Sequence, residues 1–134
     1  MKNRSELREI IMKVLYQKYI YDSTDISYKL EDLIKEQLEI ESDFVNEVVK
    51  GISKNQKEIE DLANKYLIDW NIDRLSKVDK AIASIGIYEL VYTEVPSVVA
   101  INEAVELSKK YSDEKVVKML NAMLDKIYHN EVEE

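Results

Sequence analysis

The chain has no cysteine, a single proline (Pro96) and only two glycines (Gly51 and Gly86) among its 134 residues. Without cysteine there is neither a disulfide nor a thiolate metal site. Two glycines cannot build a glycine-rich loop around a phosphate, and with one proline they supply few of the turns a sheet protein needs. The composition therefore points to an all-α fold. No early apolar run has the length of a signal peptide or a membrane span, so the cytoplasm is the expected location.

Histidine is nearly absent as well. His129 stands alone at the end of the last predicted helix, where a cation meets the negative end of the helix dipole, so neither a catalytic triad nor a histidine metal site is on offer. Carboxylates are abundant, but their spacing puts them on solvated helix faces beside lysines, without the apolar surroundings that raise a pKa for acid–base work. No catalytic residue or metal site is expected, and the chain reads as a non-enzyme.

What is present suits one soluble domain spanning residues 1–134: 46% hydrophobic and 34% charged residues are enough to bury a core. The net charge of -8 is unevenly spread. Residues 1–21 carry Lys2, Arg4, Arg8, Lys13 and Lys18 against Glu6 and Glu9, a net of +3, while fourteen cations against twenty-five carboxylates leave the remainder at -11. Such asymmetry fits a local anionic partner at one end, and it equally fits a helix with a solvated basic face. An acidic body repels nucleic acid, so any RNA contact has to be local.

Asn3 followed three residues later by Glu6 forms a capping pair, after which Leu7, Ile10, Ile11, Val14 and Leu15 recur at helical spacing. They predict a helix from about 4 to 20 with one apolar stripe facing a core. Arg4, Arg8, Met12 and Tyr16, each four residues apart, form a ridge along the flank of that stripe from which side chains reach outward together. Cations and an aromatic ring on one ridge make a phosphate-plus-stacking surface. A second short helix follows in "YKLEDLIKEQL", and a long third one starts at a Ser42 cap and runs to Tyr66, weakened between Gly51 and Asn55.

The stretch "IDWNIDRLSK" is the most linker-like and separates two helical halves, about 1–68 and 69–130. "KVDKAIASIGIYELVY" is apolar on nearly every face and reads as the central helix. After Pro96, "SVVAINEAVELSKKY" is two-faced, with Ala100, Ile101, Ala104, Val105, Leu107 and Tyr111 expected inward and Asn102, Glu103, Glu106, Lys109 and Lys110 outward. A last helix over about 113–128 turns Val116, Leu120, Met123, Leu124 and Ile127 inward, and "NEVEE" is expected to fray. Nine tyrosines complete the inventory. A tyrosine serves equally as core or as partner surface, and spacing leaves Tyr16 and Tyr88 open between the two.

Several blocks resemble a known family. "WNIDRLSKVDKAI" followed by "IYEL", then "VPSVVAINEAVELSKKY", then "NAMLDKI" occur in order and at matching lengths in the NusB family of bacterial transcription antitermination factors, and "REIIMKVLYQ" and "FVNEVVKGISKN" extend the likeness. The resemblance implies an all-helical NusB-like fold of two small bundles and no cofactor. It implies partners too: NusE, a small-subunit ribosomal protein, a boxA-type single-stranded RNA of ribosomal RNA leaders, and the antitermination complex of RNA polymerase. The family's RNA-contacting positions correspond to Lys2, Arg4, Arg8 and Tyr16 on the first helix and to the run holding Lys115 and Lys118 near the end; the central-helix region, with Asp73, Asp79 and Tyr88, is the expected partner surface. Lysine and arginine hold phosphates while an exposed tyrosine stacks on a base.

This sequence also departs from the family pattern. Ser5 and Glu6 interrupt the initial arginine cluster, Ser84 replaces an arginine of the central helix, and the terminal run carries Lys115, Met119 and Ala122 in place of aspartate, phenylalanine and glycine. The thinner cluster keeps a second reading open, a protein-only module that binds NusE or itself as a homodimer. A third, the RNA-binding appendage of a methyltransferase, ranks last, because 134 residues leave no room for a catalytic domain.

Overall fold

The computed structural model describes residues 2–133, and among these it contains seven α-helices and no strand. Helix α1 (Arg4–Ser23) starts at a reciprocal cap: the Glu6 N–H donates to the Asn3 side chain, and the Asn3 N–H donates to the Glu6 carboxylate. Two otherwise orphaned amides are satisfied this way. The helix runs three residues beyond its predicted end, to Ser23, and the chain then turns through Asp25 at φ 55°. Helices α2 (Leu30–Gln37), α3 (Asp43–Lys54) and α4 (Gln56–Tyr66) follow, then a 3₁₀ turn (Ile72–Arg74), α5 (Lys77–Tyr92), α6 (Ser97–Tyr111), α7 (Glu114–Ile127) and a π turn (Tyr128–Val132).

Helix α5 occupies the centre, as its apolar circumference predicts. Every residue from Ala81 to Ile87 is buried, and α1, α3, α4, α6, α7 and the π turn all pack on it. The buried side chains of both halves form one continuous core. The Ser42 cap is present, its hydroxyl accepting from the Val45 N–H.

Four expectations need correction. The long third helix is two helices: the Asn55 N–H bonds the carbonyls of Gly51 and Ile52, and its side-chain amide bonds Gly51 again, which closes α3 and lets α4 begin at Gln56. The linker-like stretch is pinned, because Ile72 and Leu75 are buried and the Ile72 N–H donates to Asn64 Oδ1 at 2.8 Å. The tail up to Glu133 does not fray. Val132 packs on the core, while the Glu131 carboxylate accepts from Lys65 and Tyr66. On α6 the inward face is Ala100, Ala104, Leu107 and Ser108; Ile101, Val105 and Glu103 are half-buried, and Tyr111 is exposed. The face is rotated because α5 and α7 both pack on this helix, while the Ser5 and Arg8 side chains reach across from α1 to the flank that holds Glu103.

Candidate nucleic-acid interface

The ridge along α1 does not stand clear of the core as its spacing suggests. Arg4 and Tyr16 are exposed, but Arg8 and Met12 are buried. Spacing of four places residues on one side of a helix, and it does not say how wide the partner covering that side is. Here α5 and α3 together cover more of α1 than its five-residue stripe.

Arg8 enters the core because a carboxylate waits there. Its Nε and Nη2 donate to Oε1 and Oε2 of Glu89 at 2.6 and 2.8 Å, a bidentate pair, and Nη1 lies 3.6 Å from Glu103. Glu89 is 1% exposed and Arg8 4%. Burial alone would weaken the charged form of Arg8, but its hydrogen bonds to Glu89 and the fields of Glu89 and Glu103 outweigh it and raise its pKa. Carboxylates were expected only on solvated faces; Glu89 and Asp79 are both buried. Glu103 extends the network by accepting from the Ser5 hydroxyl at 2.8 Å.

Phe44, the only phenylalanine, joins the pair to the surface. The Arg4 guanidinium carbon sits 4.2 Å from the centre of its ring and that of Arg8 5.4 Å. These side chains border a groove of about 700 Å³ between the starts of α1, α3 and α6, with Val95, Pro96 and Val99 as its apolar wall and Asp43, Glu47 and Glu94 among its acids. Lys2 is exposed beside a second hollow formed with Leu7, Leu38 and Ile40.

The cations of α7 stand elsewhere. Lys115 Nζ lies 5.6 Å from the centre of the Trp70 ring, and Lys118 pairs with Glu114 at 3.3 Å in full solvent. Among the described residues no hydrogen bond or ion pair joins them to the Arg4 group. Of the three residues expected to meet a partner, Asp73 is exposed, 3.8 Å from Lys80. Asp79 is instead a structural group, since its N–H donates to the Ser76 hydroxyl at the start of α5 and its carboxylate accepts from Ser112. Tyr88 is half-buried, stacked on Tyr92 at 5.5 Å.

Sequence reasoning overlooked Phe44, Glu89 and Glu103. One signal was available: Glu89 is the single charged residue between Ala81 and Val91, and a lone charge on a helix buried all round requires a partner. Nothing in the spacing names Arg8 as that partner, 81 residues away.

Among the described residues, no group of three or more acidic or histidine side chains is placed to hold a metal ion, and no helix is long and apolar enough to cross a membrane. A family model described as "NusB family" matches residues 5–129. Curated relatives called transcription antitermination protein NusB include one from Clostridium perfringens, 37% identical over 134 residues, covering 96% of this chain and 98% of that protein. Another from Pediococcus pentosaceus is 37% identical over 128 residues, covering 93% and 96%. Among solved structures, NusB of T. maritima superposes with a TM-score of 0.82 at 31% identity, covering 96% of this chain and 92% of that one. A chain from a complex of the antitermination factors NusB and NusE with double-stranded RNA superposes with a TM-score of 0.78 at 27% identity, covering 94% and 96%.

Proposed function

This chain belongs to the NusB family, and we propose on that premise that it works as a transcription antitermination factor which, together with NusE, holds a boxA-type RNA and promotes read-through by RNA polymerase. The observation that carries the reading is the likeness over nearly the full chain both to curated antitermination proteins and to a NusB chain solved with NusE and RNA. The chemistry is that of a binding protein without catalysis, acting in the cytoplasm. Lys2 and Arg4, with Tyr16 further along α1, supply the phosphate and stacking contacts; Lys115 and Lys118 supply a second basic point on α7. Asp73, exposed at the entrance to α5, is the first candidate for the NusE contact.

NusE has a physical task in this scheme. Residues 22–134 carry -11, so a handful of cations must hold RNA against the field of the whole molecule. A partner that adds RNA-facing groups offsets that repulsion. The test is an anisotropy titration of boxA RNA with this chain, with NusE and with both, at near-physiological salt. Tighter binding by the pair supports the reading, and failure to associate with NusE overturns it.

One observation favours a second reading. With Arg8 consumed by Glu89, the start of α1 presents fewer free cations than its sequence advertises. Association with NusE that brings no gain in RNA affinity would mark the chain as a protein-only interaction module.

A further inference from the structure

Arg4 and Arg8 are both cations, yet their guanidiniums share the ring of Phe44, at 4.2 and 5.4 Å. Two like charges so close repel unless one is cancelled. The bidentate contact with Glu89 and the flanking Glu103 cancel that of Arg8, and only then does the ring remain attractive to a second guanidinium. The ring itself is fixed, because Phe44 is the second residue of α3 and the Ser42 cap sets where that helix starts.

From this arrangement we infer that Phe44 is a positioning residue for RNA binding. It holds the exposed Arg4 guanidinium in one place while leaving its N–H donors free, and the buried Arg8–Glu89 pair is the seat on which Phe44 rests. Among the described residues Arg4 has the ring as its partner and no carboxylate within ion-pair distance. A carboxylate would hold Arg4 as firmly but would occupy the donors that a phosphate needs. A ring grips the flat face and leaves the edge unspent. An arginine held in advance loses less side-chain freedom when the anion arrives, so the effect belongs to affinity rather than to the fold.

The inference rests on the proposed RNA function, and the test separates the two. Affinity for boxA-type RNA in the presence of NusE is measured for wild type, Arg4→Ala, Phe44→Leu and the double variant across a salt series, with melting temperature as the control. Phe44→Leu is expected to lower affinity about two- to fivefold, the range of an exposed cation–ring contact, and to have no further effect once Arg4 is alanine. Phe44→Tyr, which keeps a ring, restores wild-type binding. Equal losses from Phe44→Leu with and without Arg4 overturn the positioning role alone, whereas Arg4→Ala binding like wild type overturns the RNA assignment of this site and the inference with it. The unmodified protein provides a second readout should Phe44→Leu unfold. Its Arg4 side-chain protons, lying over an aromatic ring, are expected upfield in the NMR spectrum, and ordinary solvent-exposed shifts would overturn the stacking.

Discussion

The phenol of Tyr88 lies across the backbone of Gly51 and occupies the space that any Cβ at that position would take. The two residues come from α3 and α5, and their contact shows why a glycine stands inside a helix where it weakens the helix itself. Gly51→Ala is therefore expected to lower the melting temperature despite alanine's better helix propensity of about 1 kcal/mol, because overpacking costs about 1–3 kcal/mol. In a Tyr88→Ala background the sign reverses and Gly51→Ala stabilises. Chemical denaturation of the four proteins in this cycle checks it.

Breaking the buried pair on one side strands the other charge. Glu89→Ala leaves Arg8 enclosed without its bidentate partner and is expected to cost about 3–5 kcal/mol, a large part of a small domain's stability. Replacing both, as Arg8→Met with Glu89→Leu, recovers most of the loss. Urea midpoints of the single and double variants measure this coupling, and a double variant as unstable as Glu89→Ala would contradict it.

Acid should loosen the contact between α1 and α6. The Glu9 carboxylate accepts hydrogen bonds from Lys110 and Tyr111, which hold its pKa below the ordinary 4.5. A depressed carboxylate stabilises the fold fully above its unfolded pKa and loses that contribution as pH falls through the lowered folded value. Stability is therefore expected to fall on acidification from about pH 4.5 downward. Glu9→Gln flattens that fall, as seen by melting curves collected between pH 3 and pH 6, on the order of the carboxylate range.

Asp73 and Asp79 sit six residues apart and should behave oppositely. Asp73→Ala, at an exposed side chain, is expected to leave the melting curve unchanged and to weaken NusE association. Asp79→Ala removes the acceptor of the Ser112 hydroxyl and is expected to cost about 1 kcal/mol of stability. Calorimetric titration with NusE, run beside thermal melts, tells the two apart; unaltered NusE affinity for Asp73→Ala would remove that residue from the interface.

Much of the helical architecture was legible in the sequence, because its signals are local. The Asn3–Glu6 box, the Ser42 cap and the 3.6-residue apolar spacing of α1, α2 and α7 act within one or two turns of chain; both caps are found as read and all three helices form, with α2 starting at Leu30 rather than Tyr28 and Val116 of α7 only half-buried. The central place of α5 followed from its lack of any polar face. What the sequence could not determine was how far each helix is covered, since that depends on which neighbours arrive and at what angle. Burial of Arg8 and Met12, the rotated face of α6 and the pinned turn at Ile72 are results of packing between segments far apart in sequence. The candidate site divides along the same line: Arg4 and Tyr16 are surface residues by their own helix position and Lys2 precedes the cap, while Phe44, Glu89 and Glu103 reach the site only because α3, α5 and α6 converge on the start of α1. A charged side chain is drawn inward wherever a fixed opposite charge can satisfy it, and only the tertiary structure brings Glu89 to Arg8.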